Sequence, residues 1–142
     1  MNKIWQLFTW IVLLASMFII ILVTFWSIYP YKTVEFFNKP FPIENENSTV
    51  VSGGRLRYIV NYCKYSKENP LVTRYFVDGV ILETPKMAGG LELGCKTVIS
   101  DIYVPKAVPA GTYKLKIAIQ YRPNPIRRID VINYTEPFTI VK

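Results

Sequence analysis

The chain contains no histidine. Imidazole is the commonest general base, proton shuttle and nitrogen ligand for metals. Its absence removes the Ser/His/Asp and Cys/His forms of nucleophilic catalysis. It also leaves Cys63 and Cys95, the two cysteines, too few for a structural zinc site. Asp, Glu, Lys and Arg are missing from all of residues 4–31, a run of 28 whose single proline is Pro30. Tryptophan is missing from everything after that run, because Trp5, Trp10 and Trp26 are the three in the chain. No window after residue 31 carries a helical apolar period. Gly89-Gly90 with Gly94 lacks the following Lys-Ser/Thr of a phosphate loop and reads as a connector. Asp78, Glu83, Glu92, Asp101, Asp130 and Glu136 are dispersed, without a spacing that would pair two of them for acid–base work. The expectation is a chain that is not an enzyme and needs no cofactor or metal.

What is there begins with the uncharged run. A bilayer core of about 30 Å is crossed by roughly 20 apolar residues in a helix rising about 1.5 Å per residue, and residues 4–31 exceed that. Trp5 and Trp10 lie near one end, with Trp26, Tyr29 and Tyr31 near the other. Such aromatics belong at the two headgroup levels of a spanning helix, and Pro30 stops the helix. The lipid bilayer is therefore the expected partner of residues 4–31. The apolar core is far longer than the 7–15 residues of a cleavable signal, and no small-residue cleavage site follows it, so an uncleaved signal anchor is expected. Orientation is nearly undetermined by charge: Lys3 lies on one side, Lys32 and Lys39 on the other. The cysteines tip it. An even pair behind a membrane anchor fits one Cys63–Cys95 disulfide in an oxidising compartment. The expected arrangement has the N-terminus in the cytoplasm and the rest of the chain external or periplasmic.

The remaining residues make one domain of ordinary size. The boundaries read as a signal anchor over 1–31, a juxtamembrane segment over 32–50 containing a first strand or a stalk, and a β-domain over 51–142. The strand at 55–65 puts Leu56, Tyr58, Val60 and Tyr62 on one face and Arg55, Arg57, Ile59, Asn61 and Cys63 on the other. Cys63 thus falls on the more polar face or at the strand's end, so a bridge from it would staple an edge. Runs at 72–77 and 80–84 flank Asp78-Gly79, a strong hairpin signal because a type I′ turn needs positive φ at both central residues. Residues 85–94 read as a loop and 95–104 as a strand. Tyr113, Leu115, Ile117, Ile119 and Tyr121 form the apolar face of the longest alternating strand, opposed by Lys114, Lys116, Ala118, Gln120 and Arg122. An edge strand is expected at 129–132 and a last strand at 136–141. Six to eight short strands, with turns every 8–12 residues, argue an antiparallel β-sandwich.

The charge balance fits either a solvated surface with a modest excess of lysine and arginine or a surface that meets anionic lipid or an acidic partner. The formal net charge is +7, and Lys3 alone precedes residue 32, leaving 16 basic against 10 acidic groups in residues 32–142. Arg122, Arg127 and Arg128 surround Pro123-Asn124-Pro125 in the connection between the last two strands, where binding loops of sandwiches lie. Arginines beside an aromatic grip carboxylate or phosphate, and Arg55 and Arg57 add to the candidate partner-binding set. The expected partner is a protein, a glycan or an anionic lipid, and no nucleic acid is expected. Asn47-Ser48-Thr49 and Asn133-Tyr134-Thr135 match the N-glycosylation pattern, which matters only in a eukaryotic secretory route.

Pro109-Ala110-Gly111-Thr112-Tyr113, leading into a long alternating strand, resembles the entry to the penultimate strand of immunoglobulin-like and fibronectin-type-III-like domains. That resemblance implies an Ig-like antiparallel sandwich, with Tyr113 as the corner tyrosine whose hydroxyl bonds back to nearby backbone. The domain has no tryptophan and neither cysteine lies two residues after Tyr113, so the core of antibody domains is not implied. The plan of one anchor and one β-domain is also similar to short single-pass membrane proteins of bacteriophages and prophages, a likeness that carries no motif and no function. The expected function is a membrane-anchored, non-catalytic binding module; the alternative is a structural or accessory subunit of a membrane complex, with the β-domain as spacer or cap.

Overall fold

The computed structural model describes residues 3–78, 80–83, 87–88 and 90–142. It divides into two units: Met1–Tyr31 with Arg122–Arg128, and Lys32–Tyr121 with Ile129–Lys142.

The first unit is dominated by α1 (Lys3–Ile28), 26 residues with none buried. It is long and apolar enough to cross a membrane. Its few hydroxyls turn back on their own helix: Thr9, Ser16, Thr24 and Ser27 each donate to the carbonyl four residues earlier, at 2.7–2.8 Å. Those four hydroxyls are thereby satisfied within the helix, as hydrocarbon surroundings would require.

The second unit is two β-sheets around a shared core. One sheet has the order β1-β3-β7, and the other β2-β10-β8-β4-β5 with β6 on β4 and β9 on β8. The strands are β1 (Val34–Phe36), β2 (Thr49–Val51), β3 (Arg55–Lys64), β4 (Leu71–Asp78) and β5 (Val80–Glu83). They continue with β6 (Met87–Ala88), β7 (Gly94–Tyr103), β8 (Gly111–Tyr121), β9 (Ile129–Tyr134) and β10 (Phe138–Val141). All pairings between strands are antiparallel except β2 with β10. The alternations in β3 and β8 set the core. Leu56, Tyr58, Val60 and Tyr62 are buried, as are Tyr113, Leu115, Ile117, Ile119 and Tyr121, and both sets join one cluster. Leu56, Phe76 and Leu115 have no exposed surface; burial of each contributes about 1.5–3 kcal/mol.

The segment before β2 lies along the free edge of β3. Pro40 and Pro42 cannot donate hydrogen bonds there. Two asparagines supply what they lack: Asn38 brackets Ile59 O and Asn61 N at 2.9 and 2.8 Å, and Asn45 brackets Arg55 O and Arg57 N at 3.0 and 2.6 Å. Gly53, at φ 82, makes the turn by which the chain leaves β2 for β3 in the other sheet.

Several elements differ from the sequence reading. β2 forms across the boundary expected at residue 50 between the juxtamembrane segment and the β-domain, because its three residues reach the edge of β10. β6 forms within the stretch read as a loop, because its two residues reach the edge of β4 at Leu71 and Val72. β9 runs to Tyr134, past the expected 132, and pairs with β8 throughout. β4 and β5 pair as the hairpin signal implies, from Asp78↔Val80 to Tyr75↔Glu83; the Gly79 turn, the end of the expected 80–84 strand at Thr84, and residues 85, 86 and 89 of the expected loop lie outside the described residues. Asn133 is only 3% exposed on β9, which removes it as a glycosylation acceptor in the folded chain.

Candidate binding site

The arginines singled out in the sequence fall into two separate groups. Arg55 and Arg57 alternate on the exposed face of β3. Each is paired there: Arg55 with Asp101 at 2.7 Å and Arg57 with Glu44 at 3.0 Å. Exposed pairs of this kind contribute little to stability.

Arg122, Arg127 and Arg128 belong to the unit of α1. Asn124 organises their loop. Its Oδ1 accepts from Ile126 N and Arg127 N at 3.0 and 2.8 Å, and its Nδ2 donates to Trp26 O at 3.0 Å. The Arg127 guanidinium donates to Ser27 O at 3.2 Å and Tyr29 O at 2.5 Å, and lies 5.9 Å from the Tyr31 ring centre. The last carbonyls of a helix have no intrahelical partner and carry its negative dipole end. α1 has no basic residue in its last turn, and Arg127 supplies that cation from far along the chain. The loop arginine is therefore turned onto the helix end, while Arg122 and Arg128 are exposed. Arg127→Ala should speed amide hydrogen exchange at Tyr29 and Tyr31 severalfold and leave exchange in β3 and β8 unchanged, read residue by residue in the full chain.

Tyr113 Oη donates to Pro109 O at 3.0 Å, with its ring packed edge-on against Phe76. Cys63 and Cys95 stand opposite each other in the β3–β7 register, sulfurs at disulfide-bonding distance. β7 is the edge of its sheet, so the bridge ties an edge strand to the central one, Cys63 buried and Cys95 exposed.

A concavity of the β unit lies elsewhere, between the two sheets. It is a cleft of about 490 Å³, within the ~300–1,000 Å³ of small-molecule sites. One wall is aromatic: Phe41 is stacked on Tyr58, centroids 6.2 Å apart and planes 14° apart, and Phe36 meets Phe41 edge-on at 5.4 Å. Val72, Ile117 and Ile119 line it from the other sheet. Phe41 is held in place by backbone bonds to Tyr134 and Glu136, both 2.9 Å.

No protein-family model matches the chain, and no curated protein matches it either. The functional reading therefore rests on the site's own chemistry.

That chemistry centres on Arg74. In β4 it sits between the core residues Val72 and Phe76, two positions from each, so it faces the cleft. Its Nε donates to Tyr58 Oη at 3.2 Å, and Ser100 Oγ lies 3.1 Å from the same oxygen. Arg74 makes further interactions besides these. At the rim, Lys96 bonds Glu92, which holds the Glu92 carboxyl below its usual range and raises the Lys96 ammonium above its own. Glu92 N donates to Tyr62 Oη at 3.1 Å and the buried Lys64 donates to Leu91 O at 2.8 Å, fixing the segment that closes one end. Tyr121 is pushed up to about 12 by burial, with the Glu68 carboxylate and Tyr62 adding to the effect.

The sequence reading did not include this cleft. One signal for it was present: Val72-Thr73-Arg74-Tyr75-Phe76 places an arginine on the apolar face of a strand. The aromatic wall was not readable, since Phe41 arrives from the proline-rich segment and Tyr58 looks like any core residue.

Proposed function

We propose that the chain is a single-pass membrane protein whose α1 crosses the bilayer, N-terminus in the cytoplasm, and whose β unit is an immunoglobulin-like sandwich acting as a non-catalytic binding module outside it. The observation that carries the binding reading is the inter-sheet cleft, apolar on both walls with one inward-facing arginine. The sandwich reading draws support from the strand order in the two sheets and from the Tyr113–Pro109 bond, which has the form of a tyrosine corner. It departs from antibody domains in that the cysteine pair joins neighbours in one sheet. The anchor reading draws support from an uncharged helix with no buried residue, and the external placement from two cysteines at bonding distance. The accessory-subunit reading has less behind it: α1 offers only Ala15 and Ser16 as small interior residues, which disfavours close helix pairing.

Thiol labelling in intact cells tests the placement. A membrane-impermeant maleimide should react with Cys63 and Cys95 only after an impermeant reductant is added. Labelling without reductant, and only after permeabilisation, would place the β unit in the cytoplasm.

A further inference from the structure

We infer that the loop 122–128, held against the end of α1, binds the phosphate of an anionic phospholipid through Arg122 and Arg127; this rests on the bilayer-crossing reading above. Depth comes first. Trp26, Tyr29 and Tyr31 lie at and just beyond the end of α1, and such aromatics sit at the headgroup level of a spanning helix. The loop is bonded to the backbone there, Asn124 to Trp26 O and Arg127 to Ser27 O and Tyr29 O. A membrane that holds α1 therefore holds the loop among its headgroups. Asn124 also accepts from Ile126 N and Arg127 N, so the loop is ordered before a lipid arrives, and little entropy is lost on binding. Ile126, 52% exposed, offers apolar surface at the same boundary.

Charge comes second. The unit Met1–Tyr31 with Arg122–Arg128 contains no Asp or Glu. Arg128 makes further interactions, and the site does not need it. Arg122 is exposed. Among the described residues Arg127 meets neutral groups, the two carbonyls and the Tyr31 ring. The helix end offsets part of its charge, and Arg122 adds a whole one. Both carbonyl bonds of Arg127 use Nη1. That leaves its Nε–Nη2 edge, a pair of parallel donors that fits two phosphate oxygens. A zwitterionic headgroup sets its own ammonium against its phosphate, so the two arginines favour a lipid of net negative charge.

The test uses the full chain with Trp26 as its one tryptophan, the others replaced by phenylalanine. It is reconstituted in equal parts phosphatidylcholine and phosphatidylglycerol, with shallow bromines on one lipid and then on the other. Membrane composition is then constant, and the difference in quenching reads which lipid sits beside Trp26. Expected is a lipid-exchange constant favouring phosphatidylglycerol by about fivefold for each arginine. Arg122→Gln, which touches no bond of the loop, should lower it about fivefold, Arg122→Lys should keep it, and Arg122→Gln with Arg127→Gln should bring it near unity. Circular dichroism checks that each variant keeps its fold. Equal quenching by both lipids in the parent chain would overturn the phosphate site and leave the anchor standing. A preference that survives the double variant would overturn the assignment to these arginines. Loss of the preference on adding inorganic phosphate, but not chloride at equal ionic strength, would mean a site for free phosphate and overturn the lipid assignment. No quenching by either lipid would mean that the end of α1 is not in the bilayer, and the bilayer-crossing reading itself fails.

Discussion

Leu14→Arg combined with Met17→Arg is expected to release the chain from membranes into the alkaline-carbonate supernatant. Both side chains are exposed on α1, at 60% and 56%, so the change disturbs no packing within the chain. They lie one turn apart near the middle of the helix. An arginine at the centre of a spanning helix costs about 2.5–3.5 kcal/mol on insertion scales. Two of them cost roughly 5–7 kcal/mol, several powers of ten in the partition equilibrium at about 1.4 kcal/mol per tenfold. Leu14→Ile with Met17→Leu should stay in the pellet. A double-arginine chain that also stays there would mean that something other than α1 in hydrocarbon holds the protein.

The second large effect is on the β unit. Cys63→Ser with Cys95→Ser should lower its unfolding free energy by about 3–4 kcal/mol, the chain-entropy value for a loop of this size. The cysteines are 32 residues apart in sequence. The stretch between them contains β4, β5 and β6, which belong to the other sheet, so the cross-link closes a loop running through both sheets. β7, the edge strand, has only β3 as a neighbour among the described residues. Denaturant unfolding of the full chain, followed by the far-ultraviolet β signal, checks this. Wild-type protein under reductant should match the double variant, and an unchanged midpoint in both would show that the cysteines are not bonded in solution.

How much of this could be read beforehand differs by element. The helix was fully legible, because 28 uncharged residues leave a chain little alternative. β3 and β8 were legible because alternation fixes which face is buried, and their nine inward residues are half of the 18 in the core cluster. β2 and β6 were not, since strands of three and two residues carry no period and exist only because a neighbouring edge receives them. The arginine loop stands out by composition, but it joins β8 to β9 and not the last two strands, because Ile129–Tyr134 and Phe138–Val141 are separate strands. Its attachment was not foreseeable: Asn124 and Arg127 find the helix end about a hundred residues back in the chain, and no local pattern encodes such a contact. The cleft was hidden for a related reason. It is a property of two sheets meeting, and only the misplaced charge of Arg74 between Val72 and Phe76 marks it in one dimension.

The chain carries its own reporters for the proposed bilayer crossing of α1, because all three tryptophans lie in α1 and none in the β unit. Single-tryptophan chains, with the other two replaced by phenylalanine, can be reconstituted in vesicles containing lipids brominated at graded depths. At about 1.5 Å per residue, Trp5 and Trp26 are separated by roughly 32 Å, close to the thickness of a hydrocarbon core. Insertion predicts shallow quenching for Trp5 and Trp26 and distinctly deeper quenching for Trp10. Equal shallow depth for all three would mean a helix lying flat on the surface, and water-exposed emission with no quenching at any depth would contradict membrane insertion outright.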